Sequence, residues 1–190
     1  MTHPYTIPNL LTALRIALIP AIVVLFYMPY TWSDMACGLA FAVAGITDSF
    51  DGYLARRLGQ VSPLGAFLDP VADKLIVAVA LVLLVSRDPH WWVTMAAAVI
   101  IGREIAISAL REWMAEIGAR HRVAVSKMGK YKTILQVVGL SMMLFRQDLL
   151  FLPTYEIGLV LTVVAAVLTL WSMASYLRAA WPDLRGRREA

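Results

Sequence analysis

Residues 48–73 read DSFDGYLARRLGQVSPLGAFLDPVAD, and they place four aspartates beside long apolar stretches. These aspartates are Asp48, Asp51, Asp69 and Asp73. An ionised side chain in a bilayer-spanning helix costs about 3 kcal/mol on insertion scales, and it usually marks an ion or substrate site. We therefore expect the four carboxylates to bind counter-cations.

The composition indicates an integral membrane protein. Of the 190 residues, 60% are hydrophobic and 16% are charged, and the mean hydropathy is +0.70, outside the range of a soluble domain of this length. A stretch of about 20 apolar residues can cross a hydrocarbon core of about 30 Å. We predict an all-α bundle of six transmembrane helices in a single domain over residues 1–190, with spans near 9–28, 35–56, 64–86, 91–113, 130–146 and 154–178.

Lysine and arginine are concentrated in alternate connections between the spans. Arg56 and Arg57 lie between the second and third spans, whereas the opposite connections hold only Arg87 and Arg146. The largest group lies around the connection between the fourth and fifth spans: Arg111, Arg120, Arg122, Lys127, Lys130 and Lys132. Because short basic loops remain in the cytoplasm, both termini are predicted to face it. The net charge of +4 also suits anionic lipid and phosphorylated ligands, and a nucleic-acid partner is not expected.

The spacing of the aspartates favours a metal site. Asp48 and Asp51 are three residues apart and Asp69 and Asp73 are four apart, so that on helices each pair shares one face. Consecutive spans run antiparallel, which would bring the two pairs together at a short cytoplasmic turn. Hard divalent ions prefer oxygen ligands, and they would keep adjacent carboxylates ionised. Mg²⁺ or Mn²⁺ fits this set, whereas Zn²⁺ would lack His or Cys ligands.

Small and basic residues around the aspartates suggest a phosphate-bearing ligand. Gly52 and Gly65 would allow close approach of a nucleotide, although small residues also serve close helix packing in membranes. Ser62 followed by Pro63 is typical of a helix start, whose free N–H groups stabilise phosphate. Arg56 could pair with phosphate or act as a cytoplasmic anchor.

Together these positions form the pattern Asp-x-x-Asp-Gly-x-x-Ala-Arg, eight residues, Gly-x-x-x-Asp-x-x-x-Asp. The pattern resembles the signature of the CDP-alcohol phosphotransferases, and every fixed position is present. The fixed positions are Asp48, Asp51, Gly52, Ala55, Arg56, Gly65, Asp69 and Asp73. The resemblance extends over nearly the whole chain, through segments 7–9, 66–74, 103–104, 108–113 and 129–133.

The resemblance implies transfer of a phosphatidyl group from a CDP-linked lipid, CDP-diacylglycerol, to an alcohol, with release of CMP. It assigns two Mg²⁺ or Mn²⁺ ions to Asp48, Asp51, Asp69 and Asp73, and it makes Asp73 the candidate general base. It also implies a homodimer in a bacterial cytoplasmic membrane, with the active site near the cytoplasmic face. The candidates for contact with the CDP-lipid are Asn9, Thr12, Gly52, Ala55, Arg56, Ser62 and Gly65.

The acceptor must be selected outside the signature, because different acceptors share it. The candidates for binding an acceptor phosphate are Arg103, Arg111, Lys127, Lys130 and Lys132. A phosphorylated acceptor such as sn-glycerol 3-phosphate fits these residues better than an uncharged alcohol does, and an inositol phosphate or serine remains the alternative acceptor. We expect Glu104 and Glu112 to pair with the arginines.

Two other classes of protein could place carboxylates in a membrane. A cation-coupled transporter would use the aspartates, but not Gly52, Arg56 and Ser62, and the chain shows no repeat between its halves. A lipid-binding scaffold has no use for four carboxylates. Metal-dependent release of CMP would separate the enzyme from both.

Overall fold

Six helices follow one another along the chain in the computed structural model, which describes residues 7–58, 63–119, 127–149 and 151–185. Within these ranges, the side chains of residues 7–9, 48–58, 63, 64, 66, 127–130 and 184 are not described. The helices are α1 (Ile7–Tyr27), α2 (Thr31–Leu58), α3 (Pro63–Arg87), α4 (Trp91–Glu116), α5 (Lys127–Phe145) and α6 (Thr154–Leu184). The predicted all-α, six-helix architecture is confirmed.

Three helices are long and apolar enough to cross a membrane, by length and composition. Their apolar stretches are Leu10–Tyr27 in α1, Trp91–Glu116 in α4 and Thr154–Asp183 in α6, and α5 holds a shorter one over Tyr131–Phe145. The other two helices, α2 and α3, carry the four aspartates. The chain is therefore a membrane protein, while its orientation stays a prediction.

The last helix continues beyond the predicted edge at residue 178. It ends at Leu184, because Tyr176 and Ala180 are buried against Ile107 and Met114 of α4 in a second hydrophobic cluster. Burial of this apolar face stabilises the extra turns. The extension places the end of α6 beside the end of α4.

The main core lies among α1 to α5 and is closed by α6. Its most buried members include Ile22 of α1, Phe41 of α2, Leu81 of α3, Ile100 of α4 and Leu140 of α5. Among the described residues, α1 contacts both α2 and α3, and α6 contacts both α4 and α5. Consequently α1 packs against both helices that carry the aspartates.

Polar contacts fasten the end of α3 that lies away from its aspartates. Arg87 Nη1 donates to Asp34 Oδ1 of α2 over 2.5 Å, and its Nη2 donates to the carbonyl oxygen of Phe26 in α1. Asp88 accepts a hydrogen bond from the Tyr155 hydroxyl of α6, which holds the pKa of the carboxyl below its ordinary value. These contacts tie four helices together at one end of the bundle.

Two glycines bring α5 and α6 unusually close. A Cβ added at Gly139 would lie 2.8 Å from the carbonyl oxygen of Gly158 and 2.6 Å from Thr162 Oγ1. A Cβ added at Gly158 would lie 2.7 Å from the carbonyl oxygen of Gly139. Since backbone atoms cannot rotate away, only glycine fits at this crossing. Such approach through small residues is typical of packed membrane helices.

Gly139→Ala is expected to lower the free energy of unfolding by about 1–3 kcal/mol, because the added methyl group forces the two helices apart. The loss would be measured as a lower thermal unfolding temperature in detergent. Gly102→Ala is the matched control, because its added Cβ would have no atom of the described residues within 4 Å apart from its own stretch of helix. Equal unfolding temperatures for the two variants would contradict the close crossing.

Candidate active site

The third helix carries, on one face, the two signature aspartates whose side chains the structure describes. Asp69 and Asp73 are one helical turn apart near the start of α3, and both are partly buried. Thr12 of α1 is 1% exposed, and its hydroxyl donates to Asp69 Oδ1. The first helix therefore orients a predicted metal-ligand carboxylate.

The remaining signature residues are described only in part. Asp48, Asp51, Gly52, Ala55 and Arg56 lie in α2, where the backbone alone is described. The convergence of all four carboxylates therefore stays a prediction. Gly65 is buried at the start of α3, Asn9 lies in the first turn of α1 with its side chain not described, and Ser62 lies outside the described residues.

A cavity of about 950 Å³ opens beside Asp73. Four helices line it: α3 with Asp73, α4 with Arg103 and Arg111, α5 with Lys132 and α6 with Tyr176. The structure thus brings the candidate base and three of the five predicted acceptor-binding cations to one space. The other two, Lys127 and Lys130, lie at the start of α5, and their side chains are not described.

The three described cations are held by few anionic partners. Arg103 has a side chain only 10% exposed and forms an ion pair with Glu104 over 3.0 Å. Its Nε is buried and has no hydrogen-bond partner in the part of the chain that the structure describes. Glu104 thus pairs as predicted, whereas Glu112 forms no ion pair among the described residues.

The sixth helix supports the other two cations with neutral groups. Arg111 Nη2 donates to the Tyr176 hydroxyl over 3.3 Å, and its guanidinium carbon lies 5.3 Å from the centre of the Tyr176 ring. Lys132 Nζ donates to Ser172 Oγ over 3.1 Å. Neutral partners position a cation without neutralising it. The described lining holds four basic side chains (Lys74, Arg103, Arg111 and Lys132) against three acidic ones (Asp73, Glu104 and Glu112), so positive charge is in slight excess. Such a site suits a phosphate, which arginine can bind through two parallel hydrogen bonds.

Ser172, Tyr176 and Gln136 are site residues that sequence reasoning missed. The signal in α6 is a pair of polar side chains, Ser172 and Tyr176, four residues apart in a largely apolar helix, which places them on one face. Gln136 lies four residues after Lys132 and lines the same cavity. All three become recognisable once the helices are packed.

Comparison with protein families agrees with this geometry. A model of the family described as CDP-alcohol phosphatidyltransferase matches residues 5–171. The chain belongs to the CDP-alcohol phosphatidyltransferase family. The match covers all six helices in whole or in part, including the four helices that line the cavity.

Two curated members of the CDP-alcohol phosphatidyltransferase family illustrate the degree of similarity. The chain is 55% identical over 180 residues to the CDP-diacylglycerol--glycerol-3-phosphate 3-phosphatidyltransferase of Shigella flexneri serotype 5b (strain 8401). It is also 55% identical over 180 residues to the protein of the same name from Escherichia coli (strain K12). Each alignment covers 95% of this chain and 97% of the relative.

The carboxylates on α3 suit a hard divalent cation. They offer oxygen ligands, and Asp69 is oriented by a hydroxyl donor, as metal ligands commonly are. No group of three or more candidate ligand side chains occurs within the described residues, which exclude the side chains of Asp48 and Asp51. The residues present therefore fit half of the ligand set that the family signature implies.

Proposed function

We propose that the protein transfers the phosphatidyl group of CDP-diacylglycerol to sn-glycerol 3-phosphate, yielding phosphatidylglycerol phosphate and CMP. The observation that carries the proposal is the cavity in which Asp73 lies together with three of the predicted acceptor-binding cations, Arg103, Arg111 and Lys132. The 55% identity to relatives named for this reaction, over nearly the full chain, supports the same acceptor. The product would enter the synthesis of phosphatidylglycerol and cardiolipin.

Asp73 is positioned to act as the general base. It lines the cavity from α3, so a hydroxyl of an acceptor bound there can reach its carboxylate. The acceptor oxygen attacks the phosphorus that bears diacylglycerol, its proton passes to Asp73, and the bond from that phosphorus to the CMP oxygen breaks. CMP leaves with the electron pair, so one phosphorus–oxygen bond forms as another is lost.

The binding of the CDP-lipid is assigned to the signature and the residues before it. We propose that Asp48, Asp51, Asp69 and Asp73 hold two Mg²⁺ or Mn²⁺ ions, which would neutralise the pyrophosphate and the charge developing on CMP. Gly52, Ala55 and Gly65 would let the nucleotide approach the backbone. Arg56, Ser62, Asn9 and Thr12 would supply polar contacts.

The acceptor phosphate is assigned to the basic side of the cavity. Arg103, Arg111 and Lys132 are mostly buried there, and Arg103 alone pairs with a carboxylate among the described residues. Buried cations without anionic partners are costly, and a phosphate would offset that cost. Lys127 and Lys130, at the start of α5, would extend this site.

We also propose the cellular setting of the reaction. The protein would lie in the bacterial cytoplasmic membrane with both termini and the active site at the cytoplasmic face, where the basic residues are concentrated. A homodimer is proposed on the family resemblance, and a single domain is proposed for the whole chain.

CMP release by the purified protein in detergent would test the function. CDP-diacylglycerol and Mg²⁺ would be supplied with glycerol 3-phosphate, serine, inositol phosphate or no acceptor. We expect release with glycerol 3-phosphate alone and its loss with EDTA. Release with a different acceptor would overturn the acceptor assignment, and no release with any acceptor would favour the transporter alternative.

Thr12→Val is expected to weaken Mn²⁺ binding by about 10-fold, because the variant lacks the hydroxyl that orients Asp69. Binding would be measured by Mn²⁺ titration without substrate, followed by the metal dependence of CMP release. Thr162→Val is the control, since that buried hydroxyl contacts Met143 Sδ over 3.5 Å and lies in the first half of α6, before the helix reaches Ser172. An unchanged Mn²⁺ affinity in Thr12→Val would show that the hydrogen bond does not serve the metal site.

A further inference from the structure

Gln136 is a buried polar side chain in the wall of the cavity. It is 5% exposed and lies on α5 among the residues that line the cavity. Its Oε1 is buried and has no hydrogen-bond partner within the described part of the chain. A buried amide oxygen left without a hydrogen bond destabilises the protein, so a ligand group that satisfies it binds favourably.

The neighbourhood of Gln136 indicates what that ligand group must be. Lys132 lies one helical turn earlier on the same face of α5, so a phosphate held by Lys132 lies within reach of the amide. The cavity lining also contains apolar residues such as Val77 and Ile101, together with the hydroxyl side chains of Ser108 and Thr133. An amide both accepts and donates hydrogen bonds, and a hydroxyl does the same. A hydroxyl near a phosphate is therefore the complementary group.

The proposed acceptor has three polar parts, and the cavity holds a group for each. The cations suit the phosphate, and Asp73 suits the primary hydroxyl that reacts. The secondary hydroxyl lies between these two groups on the glycerol chain, and neither the cations nor Asp73 is assigned to it. We propose that Gln136 binds this secondary hydroxyl and is a specificity-determining residue for the acceptor. This assignment rests on the proposed function and refines it.

A pair of acceptors isolates the contact. The first is sn-glycerol 3-phosphate, and the second is 3-hydroxypropyl phosphate, which keeps the phosphate and the reacting hydroxyl but lacks the secondary hydroxyl. The wild-type protein is expected to prefer the first by about 10- to 100-fold in kcat/KM for CMP release, the size expected when a buried polar group loses its partner.

Gln136→Met keeps the length of the side chain and removes the amide. The variant is expected to lose the preference, with kcat/KM falling for glycerol 3-phosphate and much less for 3-hydroxypropyl phosphate. Gln136→Leu carries the same expectation if the methionine variant does not fold. Thr169→Val is the matched control, because Thr169 Oγ1 is also buried without a partner among the described residues but does not line the cavity. It should keep the wild-type preference.

A structural role for Gln136 would give a different result. Both acceptors would then lose kcat/KM by the same factor, and the preference would survive in Gln136→Met, which would overturn the assignment. Equal use of both acceptors by the wild-type protein would overturn it as well. Failure of the proposed function is distinguishable, because the wild-type protein would then release no CMP with glycerol 3-phosphate.

Discussion

Asp73→Asn is expected to reduce CMP release by at least about 100-fold, because general-base catalysis commonly contributes 10²–10⁴-fold. The amide has nearly the same shape as the carboxylate, but it cannot take a proton from the attacking hydroxyl. Asp73 is partly buried at the cavity wall, so the substitution replaces no core apolar group and the protein should still fold. The measurement is the rate of CMP release with CDP-diacylglycerol and glycerol 3-phosphate at saturating Mg²⁺.

Two controls separate lost chemistry from lost structure. Asp148→Asn makes the same chemical change at an exposed position between α5 and α6, and it should leave turnover unchanged. The thermal unfolding temperature of Asp73→Asn should stay close to that of the wild-type protein. Turnover by Asp73→Asn at the wild-type rate would remove Asp73 from the role of base.

Arg111→Ala is expected to raise the KM for glycerol 3-phosphate by about 10- to 100-fold, while the KM for CDP-diacylglycerol changes little. A hydrogen bond to a charged group contributes about 1.5–3 kcal/mol, which corresponds to this range. Arg111 lines the cavity, and its only described side-chain hydrogen bond goes to the neutral Tyr176 hydroxyl. Its charge is therefore available to the acceptor phosphate.

The test of Arg111 compares the KM for glycerol 3-phosphate with the KM for CDP-diacylglycerol. Arg178→Ala removes a positive charge from an exposed position two residues after Tyr176 in α6. It controls for general attraction of anions to the protein. Arg111→Lys keeps the charge and removes the two-pronged geometry, so it should give an intermediate KM. A rise of equal size in both KM values would contradict the acceptor assignment.

The helices and the aspartate pair on α3 were predictable from the sequence, because both depend on local patterns. Apolar runs of sufficient length form membrane helices whatever their neighbours are, and a spacing of four residues places Asp69 and Asp73 on one face. The structure also places Arg103, Arg111 and Lys132 in the lining of one cavity, while their binding of an acceptor phosphate stays a prediction. The signals in the sequence are the charge of Arg103 within an apolar run and the group of lysines at the start of α5.

The supporting contacts could not be predicted, because they join residues that are distant in the chain. Thr12 and Asp69 are 57 residues apart, and Arg111 and Tyr176 are 65 apart. No feature of the neighbouring sequence marks Thr12 as a donor to a carboxylate. The sequence therefore predicts only that Thr12 contacts the CDP-lipid. Gln136 shows the same limit, since its buried oxygen becomes notable only when the surrounding helices are in place.

The glycine crossing of α5 and α6 has a consequence for how the chain can vary. Gly139 lies seven residues after Lys132, so both face α6, where they meet Gly158 and Ser172. Deleting Val137 or Val138 would turn the first part of α5 by about 100° relative to the crossing. The helix would remain equally apolar, yet Lys132 and Gln136 would point away from the cavity. Substitutions can therefore be tolerated at the positions of this segment that face neither the cavity nor α6, but its length cannot change.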